Sequence, residues 1–500
     1  MTFRTRCLAV LLAVLAAAQL RAPFRPRVKV IEFPAAPHDW PQFNFDEQHS
    51  GSNTEEIGIT SQNVTELQPL FQAKLPAVSD GPAVYWAAGN RRRDHMLFFT
   101  ATNGALIAMF ADGRMLWQTK PPAGPRWTTS SPALDPSRKF VYSYALDGRV
   151  HKYDIVTGAE VVESGWPVLI TRKPDVEKCS SALSIATTAS GVSYLYATLA
   201  GYPDPGDEGD YQGHVVAIRL DTGIATTFNA LCSNRHSVLG YGDCGSRQAG
   251  VWGRPGVIYD AAGDSVYIVT SNGPFDSGRN WGDSILRLPP DLRVRRGKPL
   301  DSYTPEEFDL LDKQDLDLGS SGLALLPWPG QAAPPALGVH AGKDGVIRLL
   351  SLADLSGHGA PGYVGGELQR LRLPQGGGNF SAPAVWIDDE SRTWVYFANS
   401  RGIGALELVE IDGTPQLIER WRSNSASNSS PIVANGVLFC AKNGRICALD
   451  ARTGIELWAD TRIGDIHWQS PIVVNGAVYM SDLAGNVTAW ALPKEISIPQ

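Results

Sequence analysis

One short pattern, written out twice in succession between residues 430 and 490, constrains this chain more than any other feature. The first copy opens on Ser430-Pro431, passes Asn435-Gly436, Asn443-Gly444 and Thr453-Gly454, and closes on Trp458. The second opens on Ser470-Pro471, passes Tyr479 and Gly485, and closes on Trp490. Between these turn signals lie β-branched and aromatic runs with period-two alternation, each too short for a helix. The unit is therefore a four-stranded antiparallel meander of about 40 residues. A single sheet of this kind cannot bury both faces until neighbours pack on it, so a tandem series predicts a β-propeller.

Fainter copies run back along the chain and set the blade count. Blade one holds runs at 96–100, 106–110 and 115–117, and blade two starts at Ser131-Pro132 and turns at Asp147-Gly148. Blade three starts at Ser180-Ser181 with an insertion at 201–212, and blade four starts near Trp252 with an insertion at 273–282. Blade five follows a prelude at 301–319, and blade six runs from Ser381 to Trp421. The two clean copies are blades seven and eight, and the last stops after its third strand. The apolar run 67–75 has no blade of its own and can supply the fourth strand. The expected fold is an all-β, eight-bladed β-propeller closed by pairing the N-terminal strand with the last blade. The boundaries read 1–18 signal peptide, 19–66 N-terminal extension, 67–494 propeller and 495–500 tail.

The address at the N-terminus fits an exported chain. Arg4 and Arg6 precede an apolar run over 7–20, and Ala16 and Ala18 give a small-x-small cleavage pattern, so a periplasmic or secreted protein without a membrane span in the mature chain is expected. In that compartment Cys232 and Cys244, which bracket a Gly- and Ser-rich loop, are expected to form a disulfide. Cys440 and Cys447 face each other across Asn443-Gly444, a possible second bridge, and Cys179 reads as a core thiol. With 43% hydrophobic and 19% charged residues the chain is globular, and a net charge of −7 with no long basic run argues against a nucleic-acid partner. There is no Cys-x-x-Cys-His, hence no attached c-type haem.

Because every blade presents its innermost strand in the same direction, the residues just before each first strand should gather at one mouth of the central channel. Those positions hold Trp127, Lys178, Trp252, Arg254, Asp315, Asp317, Asn379, Asn428, His467, Trp468 and Gln469.

Over residues 40–494 the repeat resembles the quinone-binding repeat of pyrroloquinoline quinone (PQQ) dehydrogenases, whose catalytic domain is an eight-bladed propeller; outer-membrane assembly propellers without a cofactor resemble it too. Glu208, five residues before Gly213, is similar to the metal-binding Glu of that family. Trp252-Gly253 followed by Asn272 is similar to the segment that supplies the Trp floor beneath the quinone and then a metal-binding Asn. Tyr303-Thr304-Pro305 with Asp315-Leu316-Asp317 resembles the stretch that carries the catalytic Asp, and Lys343-Asp344-Gly345 the basic residue on the quinone. The resemblance thus implies a Ca²⁺ or lanthanide ion held by Glu208, Asn272 and Asp315, with Asp317 spaced like the extra carboxylate of lanthanide-using relatives. It implies Asp315 as proton acceptor, Lys343 as stabiliser of a developing negative oxygen, and Trp252, Arg254, Lys343 and Trp468 as contacts of the cofactor. The choice among Asp309, Asp312, Asp315 and Asp317 stays open. The chain departs from the alcohol dehydrogenases of that family in having no adjacent Cys pair.

Two classes of function follow. One is a dehydrogenase that oxidises a small alcohol or sugar and passes electrons to a separate acceptor; the other is a non-catalytic scaffold for a protein or glycan. Convergence of Glu208, Asn272 and Asp315 separates them.

Overall fold

The structure is a computed structural model that describes residues 37–493, apart from 122, 123, 125, 164, 203–208, 295–299, 329–335 and 360–361. The expected signal peptide and the tail fall outside the described residues. No described helix is long and apolar enough to cross a membrane.

Eight sheets form the fold, each a meander whose strands follow one another outward from the axis. Blade seven shows the logic: Ile432–Ala434, Val437–Lys442, Arg445–Asp450 and Glu456–Asp460 pair in turn across the predicted Asn-Gly and Thr-Gly turns. Asn435 takes φ +48° and Gly436 +76°, the left-handed pair that a two-residue hairpin turn requires. Inner and middle strands are buried on both faces and the outermost strands are half exposed, because each blade packs its faces on two neighbours.

The ring closes as expected. Gln68–Lys74 pairs antiparallel with Asn486–Ala491 and completes blade eight, with Phe71 opposite Ala489. The stretch 301–319 departs from the sequence reading. Ser302–Tyr303 is the fourth strand of blade four, paired to Ile285–Leu288, and Pro305 ends it ahead of a short helix, Phe308–Lys313. A two-residue strand leaves too short a run for alternation to reveal.

The stretch before residue 67 also does more than extend the chain. Residues 40–53 form a belt across the axial ends of the inner strands. Trp40 exchanges two backbone hydrogen bonds with Tyr85 of blade one, Pro41 accepts from Leu134 of blade two, and Glu47 accepts from Tyr259 of blade four. Ser50 accepts from Val385 of blade six and Gly51 from Val433 of blade seven. The Gln42 side chain both donates to and accepts from the backbone of Ile185 in blade three, and Asn53 Nδ2 donates to Val473 O in blade eight. Polar edges that would otherwise face the channel are thereby satisfied, and Phe43 crosses it, buried against Ala182 of blade three and Ala382 of blade six.

The Cys232–Cys244 disulfide is formed, with Cα atoms 6.1 Å apart. Cys440 and Cys447 sit directly opposite each other as buried thiols, and Cys179 is a third.

Candidate functional site

With the belt across one mouth, the segments that enter the inner strands surround the other. They enclose a cavity of about 450 Å³. Trp127 and Lys178 enter from blades two and three, Trp252 and Arg254 from blade four, Asp315 and Asp317 from blade five, Phe380 from blade six, and His467 and Trp468 from blade eight. Gly253 lets blade four approach closely, since a Cβ there would stand 2.7 Å from Ser321 O at the start of blade five. That approach brings Trp252 beside Lys343, the partner of Asp315 and Asp317.

One wall is a compact polar cluster. Lys343 Nζ lies 3.0 Å from Asp315 Oδ1 and 2.5 Å from Asp317 Oδ2. Asn272, just beyond the second strand of blade four, donates its backbone N–H to Asp317 Oδ1 (3.0 Å) and its Nδ2 to Asp315 Oδ1 (3.2 Å). Its Oδ1 is buried without a partner among the described residues. Behind them Asp283 accepts from Leu318 N (2.9 Å) and fixes the turn that carries Asp317. Burial, with Asp317 and Asp312 nearby, pushes the Asp283 carboxyl up to about 8 against the pull of that hydrogen bond. Burial likewise raises Asp317, and Lys343 opposes the rise without cancelling it. For Lys343 the balance is reversed: burial lowers it, but Asp317 and Asp315 together hold it above its ordinary value.

The rest of the cavity is aromatic and cationic. Trp252 stands between Phe380 and Trp468, with ring centroids 6.4 and 6.3 Å away, and Lys343 Nζ lies 5.6 Å from its centre. Arg254 sits below Trp468, its guanidinium carbon 5.3 Å from that ring, and donates from Nη1 to Thr129 O and Ser180 O. Lys178 Nζ lies 3.4 Å over the Trp127 ring. Burial, reinforced by Arg254 and opposed by Asp80 and Cys179, lowers Lys178 to about 7.

The model of the family described as "Outer membrane protein assembly factor BamB", a PQQ-repeat family, matches residues 407–493. Among solved structures, a quinohemoprotein alcohol dehydrogenase of Pseudomonas putida HK5 superposes with a TM-score of 0.63 at 15% identity, covering 92% of this chain and 81% of that one. The chain is an eight-bladed propeller, and its residues 407–493 carry the PQQ-repeat pattern. The quinohemoprotein alcohol dehydrogenase of Comamonas testosteroni gives the same TM-score and identity, with 93% of this propeller and 82% of that chain covered. BamB from Moraxella catarrhalis gives 0.50 at 12% identity, over 85% of this propeller and 97% of that chain. No curated protein sequence matches this propeller.

Against the sequence reading, the propeller brings together Asn272, Asp315, Asp317, Lys343, Trp252, Arg254 and Trp468 around one cavity. Glu208 lies outside the described residues, and among those described no three His, Cys, Asp or Glu side chains group as a metal cluster. Asn379 turns inward instead, donating to Ser321 Oγ and to backbone carbonyls, and its neighbour Phe380 takes the lining position. Tyr211 and Gln248 also line the cavity; they come from insertions that no repeat position announces.

Proposed function

We propose that this PQQ-repeat propeller is an exported quinoprotein-type dehydrogenase that oxidises an alcohol or sugar with PQQ and Ca²⁺ or a lanthanide, and passes the electrons to a separate acceptor. The observation that carries the reading is the convergence of Asn272, Asp315, Asp317 and Lys343 beside Trp252, with Asn272 Oδ1 buried and unpartnered among the described residues. One amide oxygen and two carboxylates are the hard donors that such an ion takes, and Asn272, Asp315 and Asp317 would hold it together with Glu208. When bound, the quinone and its ion supply a two-electron acceptor with Lewis-acid polarisation.

The chain's own groups have distinct tasks. Trp252 and Trp468 offer flat faces for a planar ring, and they narrow the access of water. Asp315 is 79% exposed at the mouth, where it can accept the proton of a substrate hydroxyl. Lys343 opposes the rise that burial imposes on Asp317 and presents positive charge where negative charge develops on oxygen.

Titrating the purified protein with PQQ plus Ca²⁺ or La³⁺, followed by tryptophan fluorescence and by dye reduction over a panel of alcohols and sugars, tests the reading. Saturable binding and dye reduction are expected, with Asp315→Asn abolishing reduction and sparing binding. Failure to bind PQQ with every ion refutes it. The second reading, a non-catalytic scaffold for a protein or glycan, is favoured by the BamB family match over residues 407–493 and then takes its place.

A further inference from the structure

The cationic wall of the cavity holds two buried side chains whose own hydrogen-bonding needs the protein does not meet. Arg254 is only 2% exposed. Its Nη1 is engaged by Thr129 O and Ser180 O, whereas among the described residues Nε and Nη2 are buried with no acceptor. Nε–H and one Nη2–H point to the same side of a guanidinium and form the fork that takes both oxygens of a carboxylate. The Trp468 and Phe43 rings lie 5.3 and 5.9 Å from the guanidinium carbon, and the unengaged Nε/Nη2 edge is what remains for a ligand.

Lys178 completes the wall. It is 5% exposed, and among the described residues no hydrogen bond or ion pair reaches its Nζ, which rests on Trp127 and, at 5.5 Å, on Tyr202. The charged and titratable groups facing it are Asp80, Arg254, Cys179 and the Tyr202 hydroxyl. Asp80 is already engaged, accepting from Trp468 N at 3.1 Å with His467 Nδ1 at 2.8 Å. Asp80 lies near both cations but, among the described residues, makes no hydrogen bond or ion pair with either, so the free bidentate fork and the ammonium have no direct counter-anion.

We infer that Lys178 and the free Nε/Nη2 edge of Arg254 form a subsite for an organic carboxylate. The carboxylate oxygens take the Arg254 fork and one of them pairs with the Lys178 ammonium. The chemistry is shared by two sources, a carboxylate borne by the cofactor and that of a hydroxy-acid substrate. The subsite needs an anion and not a quinone, so it does not depend on the dehydrogenase reading. Lys178, lowered to about 7 in the free protein, is raised by an arriving anion, and binding at about pH 8 takes up a proton.

Calorimetric titration of the full chain with two matched pairs tests the inference: PQQ with Ca²⁺ against its trimethyl ester, and gluconate against glucose. Run at pH 8 in two buffers of different ionisation enthalpy, it should give at least one acid binding roughly tenfold or more above its neutral counterpart, with proton uptake. Lys178→Gln should weaken the acid about tenfold, abolish the proton uptake and leave the neutral ligand unchanged; Lys178→Arg should keep the acid preference without proton uptake. An advantage confined to PQQ assigns the subsite to the cofactor, and one confined to gluconate assigns it to the substrate. If PQQ does not bind at all but gluconate does, the subsite stands and the quinone reading falls. Equal binding of acid and neutral partner in both pairs, no acid binding, or a Lys178→Gln protein with unchanged acid preference and proton uptake overturns the inference.

Discussion

Replacing Lys343 by Met removes the cation that bridges Asp315 and Asp317, and the consequence can be worked from their burial. Asp315 is 79% exposed, so water replaces the lysine there at little cost. The loss falls on Asp317, which is 7% exposed and keeps the hydrogen bond from Asn272 N. Removing one partner of a buried pair costs about 3–5 kcal/mol. The stranded carboxylate can escape by taking a proton; from an ordinary pKa of about 3.9 this costs about 4 kcal/mol at pH 7, which sets a ceiling. Burial raises the carboxyl above its unfolded value, so the penalty is present above that unfolded pKa and disappears as pH falls to it, where both states hold the proton. Lys343→Met should therefore be about 2–4 kcal/mol less stable than the parent near pH 7.5 and nearly equal to it near pH 4. Denaturant midpoints followed by tryptophan fluorescence at the two pH values check this, with Lys343→Arg as a charge-keeping control. A deficit that is the same at both pH values, or one below about 1 kcal/mol near pH 7.5, would refute the reasoning.

Lys178 carries the opposite sign. Its folded value of about 7 lies below the unfolded value near 10.4, so only the unfolded chain binds the proton between them, and Lys178→Met should gain up to about 4 kcal/mol at pH 7, the gain vanishing as pH rises toward 10.4; equal pH profiles for the two proteins would contradict this. Gln42→Leu leaves the Ile185 N–H and C=O buried without partners and should cost about 2–5 kcal/mol, with hydrogen exchange accelerated first in the peptide around Ile185. Deleting residues 68–74 opens the edge of Asn486–Ala491, and light scattering should report self-association at concentrations where the intact chain is monodisperse.

The blades were legible because alternation and turn signals are local: Asn435-Gly436 needs nothing beyond its own residues to specify a hairpin. The closing strand was legible by arithmetic, since the last copy stopped one strand short. The belt was not, because residues such as Trp40, Gln42 and Ser50 make one or two hydrogen bonds each to distant strand edges and follow no period. At the site, Asn272, Asp315, Asp317 and Lys343 could be read from motif and position. The unmet needs of Arg254 and Lys178 could not, because the lack of a directly paired anion is a property of everything that surrounds a charge. Phe380 was one residue from a predicted lining position, and only the inward turn of Asn379 decides between them.

The belt makes the channel a cup. Residues 40–53 cross the channel at its far end, with Phe43 buried against Ala182 and Ala382, so among the described residues the way in and out lies past Asp315. For a dehydrogenase this would impose a queue: the cofactor would be seated first against the floor, each substrate would stand between it and that opening, and the oxidised product would have to depart before an electron acceptor approached from the same side. Two-sided traffic, with fuel entering by one mouth and electrons leaving by the other, is denied by fourteen residues of backbone that the repeat itself does not contain.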